Sequence, residues 1–302
     1  MRSERAGSRP ERVATARRLA CLAVAAGLAL AGCTSGTTPP PAASAPAERL
    51  PRPEKTVVVV FENKQYSRII DNPQAPYINQ LAKGGASFTR MIANSPASQP
   101  NYYQMFSGGN QGRTDNNCYP DKVDAPNLGR ALLDKNLGFA GYSEGLPQEG
   151  SDACTSGNYA RKHNPWAGFA NLPPSTNKPF SAFPGDFSTL PTVSFVVPDL
   201  CNDMHNEDQG CTIGVGDSWL KANLDAYAQW AMNHNSLLVV IFDEGTREDA
   251  RIPLVFHGPM VKPGSYSQLL NHYGVLRTLE DMYALPHSGN AASAAPISGI
   301  WQ

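Results

Sequence analysis

No CxxC pair occurs among the six cysteines of this chain, so the close spacing that most structural zinc sites use is missing. Nor is there a surplus of basic residues once the leader is set aside. Arginines crowd the stretch up to Arg17-Arg18, and the remainder is acidic although the whole chain carries a net charge of only −1. Nucleic-acid binding through a basic patch is therefore not expected. The apolar run from Leu19 to Ala31 falls short of the roughly 20 residues that span a bilayer core. No second linker occurs beyond residue 53, so roughly 250 residues remain for one large domain with a substantial core.

What the N-terminus does have is an Arg-rich stretch, the apolar run and then Leu30-Ala31-Gly32-Cys33, the pattern of a signal peptide. The final tetrad resembles the lipobox of bacterial lipoproteins. That resemblance implies a signal peptide over 1–32, lipidation at Cys33 and a membrane-anchored protein on the extracytoplasmic side. Arg17-Arg18 also permits twin-arginine export, although the flanking residues match that pattern poorly. From Thr34 to about Pro53 the chain is mostly Pro, Ala, Ser, Thr and Gly, which cannot bury enough apolar surface to fold. Residues 33–53 read as a tether and 54–302 as the folded domain.

Outside the leader and Cys33, four cysteines remain: Cys118, Cys154, Cys201 and Cys211. An even count in an exported chain suggests disulfides, and four cysteines allow three pairings. Cys118–Cys154 with Cys201–Cys211 is favoured, the second because it closes a short loop; a zinc site is the alternative.

Two continuous apolar runs end in polar pairs: Val57 to Phe61 reaches Glu62-Asn63, and Leu237 to Phe242 reaches Asp243-Glu244. Open α/β sheets bind ligands beyond the carboxyl ends of their strands, and carboxylates at the end of a buried strand need cations or donors beside them. One such pair alone reads equally as a helix cap or turn. A third run, Thr192 to Val197, leads to Asp203-Met204-His205, so three strand ends offer carboxylate, amide and imidazole, a mixture suited to a divalent ion. Further strands are expected at Ser87–Ile92, Phe139–Tyr142 and Ile252–Phe256. Helices are expected near Pro76–Lys83, Asn127–Lys135 and Trp219–Met232, and long loops over the site at Asn171–Leu190. The alternation of strand and helix predicts an α/β domain with a mostly parallel sheet covered on both faces. His234, His257 and His287 carry no site role in this reading.

Between the acidic pairs lies Ser98-Gln99-Pro100-Asn101-Tyr102, running to Ser107-Gly108. A serine at a helix start faces N–H groups and a dipole that suit phosphate, though it can equally be a cap. This segment resembles the nucleophile segment of alkaline-phosphatase-superfamily enzymes. Together with Tyr159 to Trp166, Asn202 to His205 and His272 to Glu280, it resembles the bacterial phosphoesterase family that contains acid phosphatases and phospholipases C. The resemblance implies an alkaline-phosphatase-like three-layer α/β/α sandwich and an acid phosphatase hydrolysing phosphomonoesters through a metal-assisted phosphoserine intermediate on Ser98. Its substrates would be phosphorylated small molecules or phosphoinositides. Glu62, Asn63, Ser98, Asp203, Asp243, Glu244 and His272 would hold a divalent metal ion. His163 and His205 would join Ser98 in catalysis, with Asn101, Arg161 and His163 on the substrate phosphate. The wider superfamily has Asp and Asp-His where this chain has Glu62-Asn63 and Asp243-Glu244, which shifts preference from two zinc ions toward calcium, magnesium, manganese or a single metal. A diesterase or phospholipase C on the same centre, and a non-catalytic phosphate-binding lipoprotein, are the alternatives.

Overall fold

The computed structural model describes residues 49–302; the expected signal segment, Cys33 and most of the tether lie outside them. The folded body takes in the last of the stretch expected as tether. Leu50 packs on the core and Pro53 is buried, because these apolar residues adjoin the first strand.

Six consecutive buried residues, Thr56–Phe61, form β1. There follow α1 (Tyr66–Ile69), α2 (Pro76–Gly84), β2 (Ala86–Phe88), β3 (Met91–Ile92), α3 (Ser98–Ser107), α4 (Leu128–Asp134) and β4 (Phe139–Ser143). Next come β5 (Thr155–Ser156), β6 (Tyr159–Ala160), β7 (Asn177–Pro179), β8 (Val193–Val197), α5 (Ile213–Ala231) and β9 (Leu237–Phe242). The chain closes with β10 (Leu254–His257), β11 (Gly264–Tyr266), β12 (Leu270–Asn271) and α6 (His272–Met282).

Eight strands form one sheet in the order β11-β2-β10-β9-β1-β8-β4-β7. β1 pairs parallel with β8 and β9, β4 with β8 and β7, and β10 alone runs against its neighbours. Every residue of β1, β4, β8 and β9 is buried, as a parallel sheet covered on both faces requires. The helices pack in two groups, α2 with α5 and α3 with α4 and α6. This is the expected α/β architecture. Ala75 offers no side-chain cap to α2; instead Asp217 of α5 accepts from the backbone N–H groups of Tyr77 and Ile78 at 3.0 and 2.8 Å. That bond locks the two helices together while supplying acceptors for N–H groups that the helix start leaves unpaired.

Several elements depart from expectation. The strand expected at Ser87–Ile92 breaks at Thr89-Arg90, and its second half leaves the main sheet to pair with β12. α5 begins at Ile213 rather than Trp219 because Thr212 caps it, its side chain accepting from Val215 N–H. Residues 171–190 are not simply loops over the site. They include the edge strand β7, and Phe180 and Phe187 pack on Trp219 and Tyr227 of α5 with ring centroids 5.1 and 5.4 Å apart. Both favoured bridges are present, Cys118–Cys154 and Cys201–Cys211, with Cα atoms 5.8 and 4.6 Å apart, so no zinc ligand set remains among them.

Candidate active site

Parallel register sets Phe61 beside Phe242, so Glu62 and Asp243 leave the sheet as neighbours. Asn63 N–H donates to Asp243 Oδ1 at 2.9 Å, and Glu62 N–H donates to the carbonyl of Asp203 at 2.9 Å, tying the ends of β1, β8 and β9 into one floor. Two residues here have left-handed backbones, Asn63 at φ 55° and Met204 at φ 76°. Asparagine tolerates that region, whereas a fully buried methionine does so only where the surroundings hold it. The turn at Met204 lets Asp203 Oδ1 accept from His205 N–H at 2.8 Å, so both side chains face the centre.

Ser98 opens α3, behind Ala97, and all ten residues of that helix are buried. Its hydroxyl makes no capping bond. Oγ lies 3.0 Å from Glu62 Oε2 and 3.1 Å from Glu244 Oε1. One hydroxyl proton cannot serve two ionised carboxylates at once, so the arrangement requires a further proton or a cation.

Histidines close the other side. His163 Nδ1 is 3.2 Å from Asp203 Oδ2, and its Nε2 lies 3.2 Å from Glu62 Oε2 at an angle unsuited to a hydrogen bond. Its ring stacks on Tyr102 with centroids 5.1 Å apart. His205 Nδ1 sits 2.7 Å from Asn63 Nδ2 and 3.1 Å from Glu62 Oε2. His272 Nε2 donates to the backbone carbonyl of Asp243 at 2.6 Å.

Burial dominates the electrostatics. It pushes the carboxyls of Glu62 and Glu244 up to about 7, opposed at Glu244 by the Ser98 hydroxyl. It also raises Asp203 and Asp243, with the charge on Glu62 adding to the effect. Burial pushes His205 and His272 down to about 4 and His163 well below its ordinary value, Lys162 adding to the fall at His163 and His205.

The donor set fits a divalent cation. Among the described residues, one carboxylate oxygen of Glu62 and one ring nitrogen each of His163 and His205 lie within 4.8 Å of one another. Glu62 Oε1, Asp243 Oδ2 and His272 Nδ1 are buried without hydrogen-bond partners, and such atoms carry a large cost unless an ion or water meets them.

Of the residues singled out in the sequence, Glu62, Asn63, Ser98, His163, Asp203, His205, Asp243, Glu244 and His272 come together in this cluster. Asn101 and Arg161 do not. Asn101 donates both amide protons to the carbonyls of Ser95 and Ala97 and accepts from Asn94 and Ser95 N–H. With every position of its amide used, it braces the turn before Ser98 instead of facing phosphate. Arg161 donates to the carbonyls of Asp152 and Tyr119 beside the Cys118–Cys154 bridge. Lys162, which the sequence marks only as one of the basic triplet with Arg161 and His163 and to which no role of its own is given there, places its Nζ 3.2 Å from His205 Nε2. His234 stacks on Trp230, and His287 pairs with Asp281 at 2.7 Å.

Solved structures share the fold. An alkaline phosphatase superfamily protein from Vibrio parahaemolyticus superposes with a TM-score of 0.58 at 13% identity, covering 82% of this chain and 71% of its own. The lipoteichoic acid synthase of Listeria monocytogenes gives a TM-score of 0.56 at 12% identity, covering 78% and 73%. In sequence, the chain is 46% identical over 258 residues to a phosphatidylinositol-3-phosphatase of Mycobacterium tuberculosis, across 84% of this chain and 85% of that protein. An acid phosphatase of Aspergillus fumigatus is 26% identical over 241 residues, which cover 73% of this chain and 53% of the fungal protein. The phosphoesterase family pattern matches residues 68–286, a span that runs from α1 past α6 and takes in Ser98, the histidines and the second acidic pair. This chain therefore belongs to the phosphoesterase family, hydrolases of phosphoric esters.

Proposed function

We propose that this protein is an exported, lipid-anchored phosphatase that hydrolyses phosphomonoesters, phosphoinositides among them, through a phosphoseryl intermediate on Ser98. The observation that carries the reading is the Ser98 hydroxyl held between Glu62 and Glu244 at 3.0 and 3.1 Å. A serine hydroxyl attacks phosphorus only with a partner that takes its proton or lowers its proton affinity. As Oγ bonds to phosphorus, its proton passes to one of the two flanking carboxylates and the bond from phosphorus to the alcohol oxygen breaks. The same proton is returned to the departing alkoxide. Water then cleaves the phosphoseryl group, releasing phosphate and restoring the hydroxyl. Glu62, Asn63, Asp243 and Glu244 with the facing imidazoles would hold a divalent ion, which supplies charge neutralisation at the phosphoryl oxygens and acidifies the Ser98 hydroxyl. Lys162 adds a fixed cation toward the equatorial oxygens. The inclusion of phosphoinositides among the substrates is supported by the relative named phosphatidylinositol-3-phosphatase. Export and anchoring rest on Leu30 to Cys33.

The test is hydrolysis of p-nitrophenyl phosphate with divalent ions added back, by wild type and Ser98→Ala. Turnover lost in Ser98→Ala, with a phosphoenzyme trapped by acid quench in the wild type, is the expected result. Hydrolysis of the bis-nitrophenyl diester without the monoester would overturn the monoesterase reading. Loss of labelled palmitate in Cys33→Ser checks the anchor.

A further inference from the structure

Beside Glu244 lies a cavity of about 400 Å³, lined by residues 93–96, by Glu244 to Arg247 and by Ala250. Both walls are tied. Ala93 N–H donates to the Ala250 carbonyl at 3.0 Å, joining them, and Asn101 holds the 94–97 turn from behind. The 244–250 loop closes on itself through Thr246 N–H to the Asp249 carbonyl at 3.0 Å. A Cβ on Gly245 would come within 2.4 Å of that same carbonyl oxygen, so the loop has this shape only with glycine there. One arginine lies within the closed loop and another follows it. Arg251 is neutralised by Asp249, its Nε and Nη2 each donating at 2.8 Å. Arg247 is exposed, lines the cavity and forms no ion pair among the described residues.

We infer that Arg247 is a specificity-determining residue that grips a second anionic group on the substrate, selecting phosphomonoesters whose leaving alcohol carries another phosphate or phosphodiester. The cavity adjoins the acid that holds Ser98, so a phosphoryl group at Ser98 sends its leaving group into a space where the free cation is Arg247. A guanidinium presents paired donors that match phosphate oxygens and fix orientation as well as charge. Glu248, which would oppose an anion, does not line the cavity. The inference rests on the phosphatase reading and adds to it the residue that recognises the second anionic group.

The experiment compares kcat/KM for an inositol bisphosphate with that for an inositol monophosphate, in wild type, Arg247→Ala and Arg247→Lys. The bisphosphate is expected to be preferred by the wild type. In Arg247→Ala the ratio of the two values falls by about tenfold or more, mainly through KM, and Arg247→Lys restores part of it. An unchanged ratio in Arg247→Ala overturns the inference. Should the wild type hydrolyse neither compound, turnover of p-nitrophenyl phosphate decides separately whether the phosphatase reading stands, and calorimetric binding of the bisphosphate decides the role of Arg247. About tenfold weaker binding in Arg247→Ala upholds the role; equal binding, or none in the wild type, overturns it.

Discussion

His272 donates through Nε2 to the backbone carbonyl of Asp243 at 2.6 Å, reaching from the first residue of α6 to the end of β9. Its own N–H is held by Asn94 Oδ1 at 3.0 Å. The ring thus ties the start of α6 to the backbone of the acidic pair. We expect His272→Ala to raise the metal concentration for half-maximal activity by about 10–100-fold, as loss of such supporting bonds does. His272→Gln, which retains a donor, should recover part. A metal titration of activity, run beside a melting curve, separates this from simple unfolding.

Lys162 brings a positive charge to the rim of an acidic centre, 3.2 Å from His205 Nε2. Lys162→Met should lower kcat/KM by about tenfold, chiefly through KM, since a charge-assisted contact to phosphate is worth about that much. The change should shrink at high ionic strength.

Glu280 supplies a pH dependence remote from the catalytic cluster. Its Oε1 accepts from Ser288 N–H at 2.8 Å, and burial pushes the carboxyl up from 4.5 to about 7. Between those values the folded chain keeps a proton that the unfolded chain releases. Its stabilising contribution is therefore complete below pH 4.5 and lost as pH rises through about 7. Glu280→Gln abolishes this dependence, so the variant should gain about 3 kcal/mol relative to wild type across that window. Urea unfolding at both ends of the window measures the difference.

Gly141 in β4 lies under the indole of Trp166. A Cβ there would come within 1.9 Å of Trp166 Cε2, and the indole N–H is fixed to Asn177 Oδ1 at 3.0 Å. Gly141→Ala should cost about 1–3 kcal/mol by overpacking, seen as an earlier denaturation midpoint.

The Cys201–Cys211 bridge encloses Asp203 and His205 in a ten-residue separation. Replacing both cysteines with serine should destabilise the chain by about 2–3 kcal/mol and reduce turnover further than that loss explains. Activity in the presence of a reductant gives the check.

The centre of the sheet was legible because β1 and β9 are unbroken apolar runs, and their terminal acids stand out against them. Direction was not. The short run 252–256 carries no mark of polarity, and its antiparallel pairing with β9 comes from the tight return after Asp249. α5 was read six residues short because Gly214 and Gly216 dilute its apolar pattern, although Gly216 is where Met204 packs, a Cβ there lying 2.6 Å from its side chain. The acids, Ser98 and the histidines were readable from type and order. The roles of Asn101 and Arg161 were not, because a sequence shows that a donor exists and leaves open which acceptor it faces.

The centre gathers side chains from Glu62 through Ser98, His163 and Asp203 to Asp243, with His272 bonded to the Asp243 backbone, and β1 reaches β9 only across most of the chain. Contacts between residues so far apart form late and slowly in folding. Chemistry thus awaits the final strands: the centre is complete toward phosphate esters only once β9 lies beside β1 and α6 is in place.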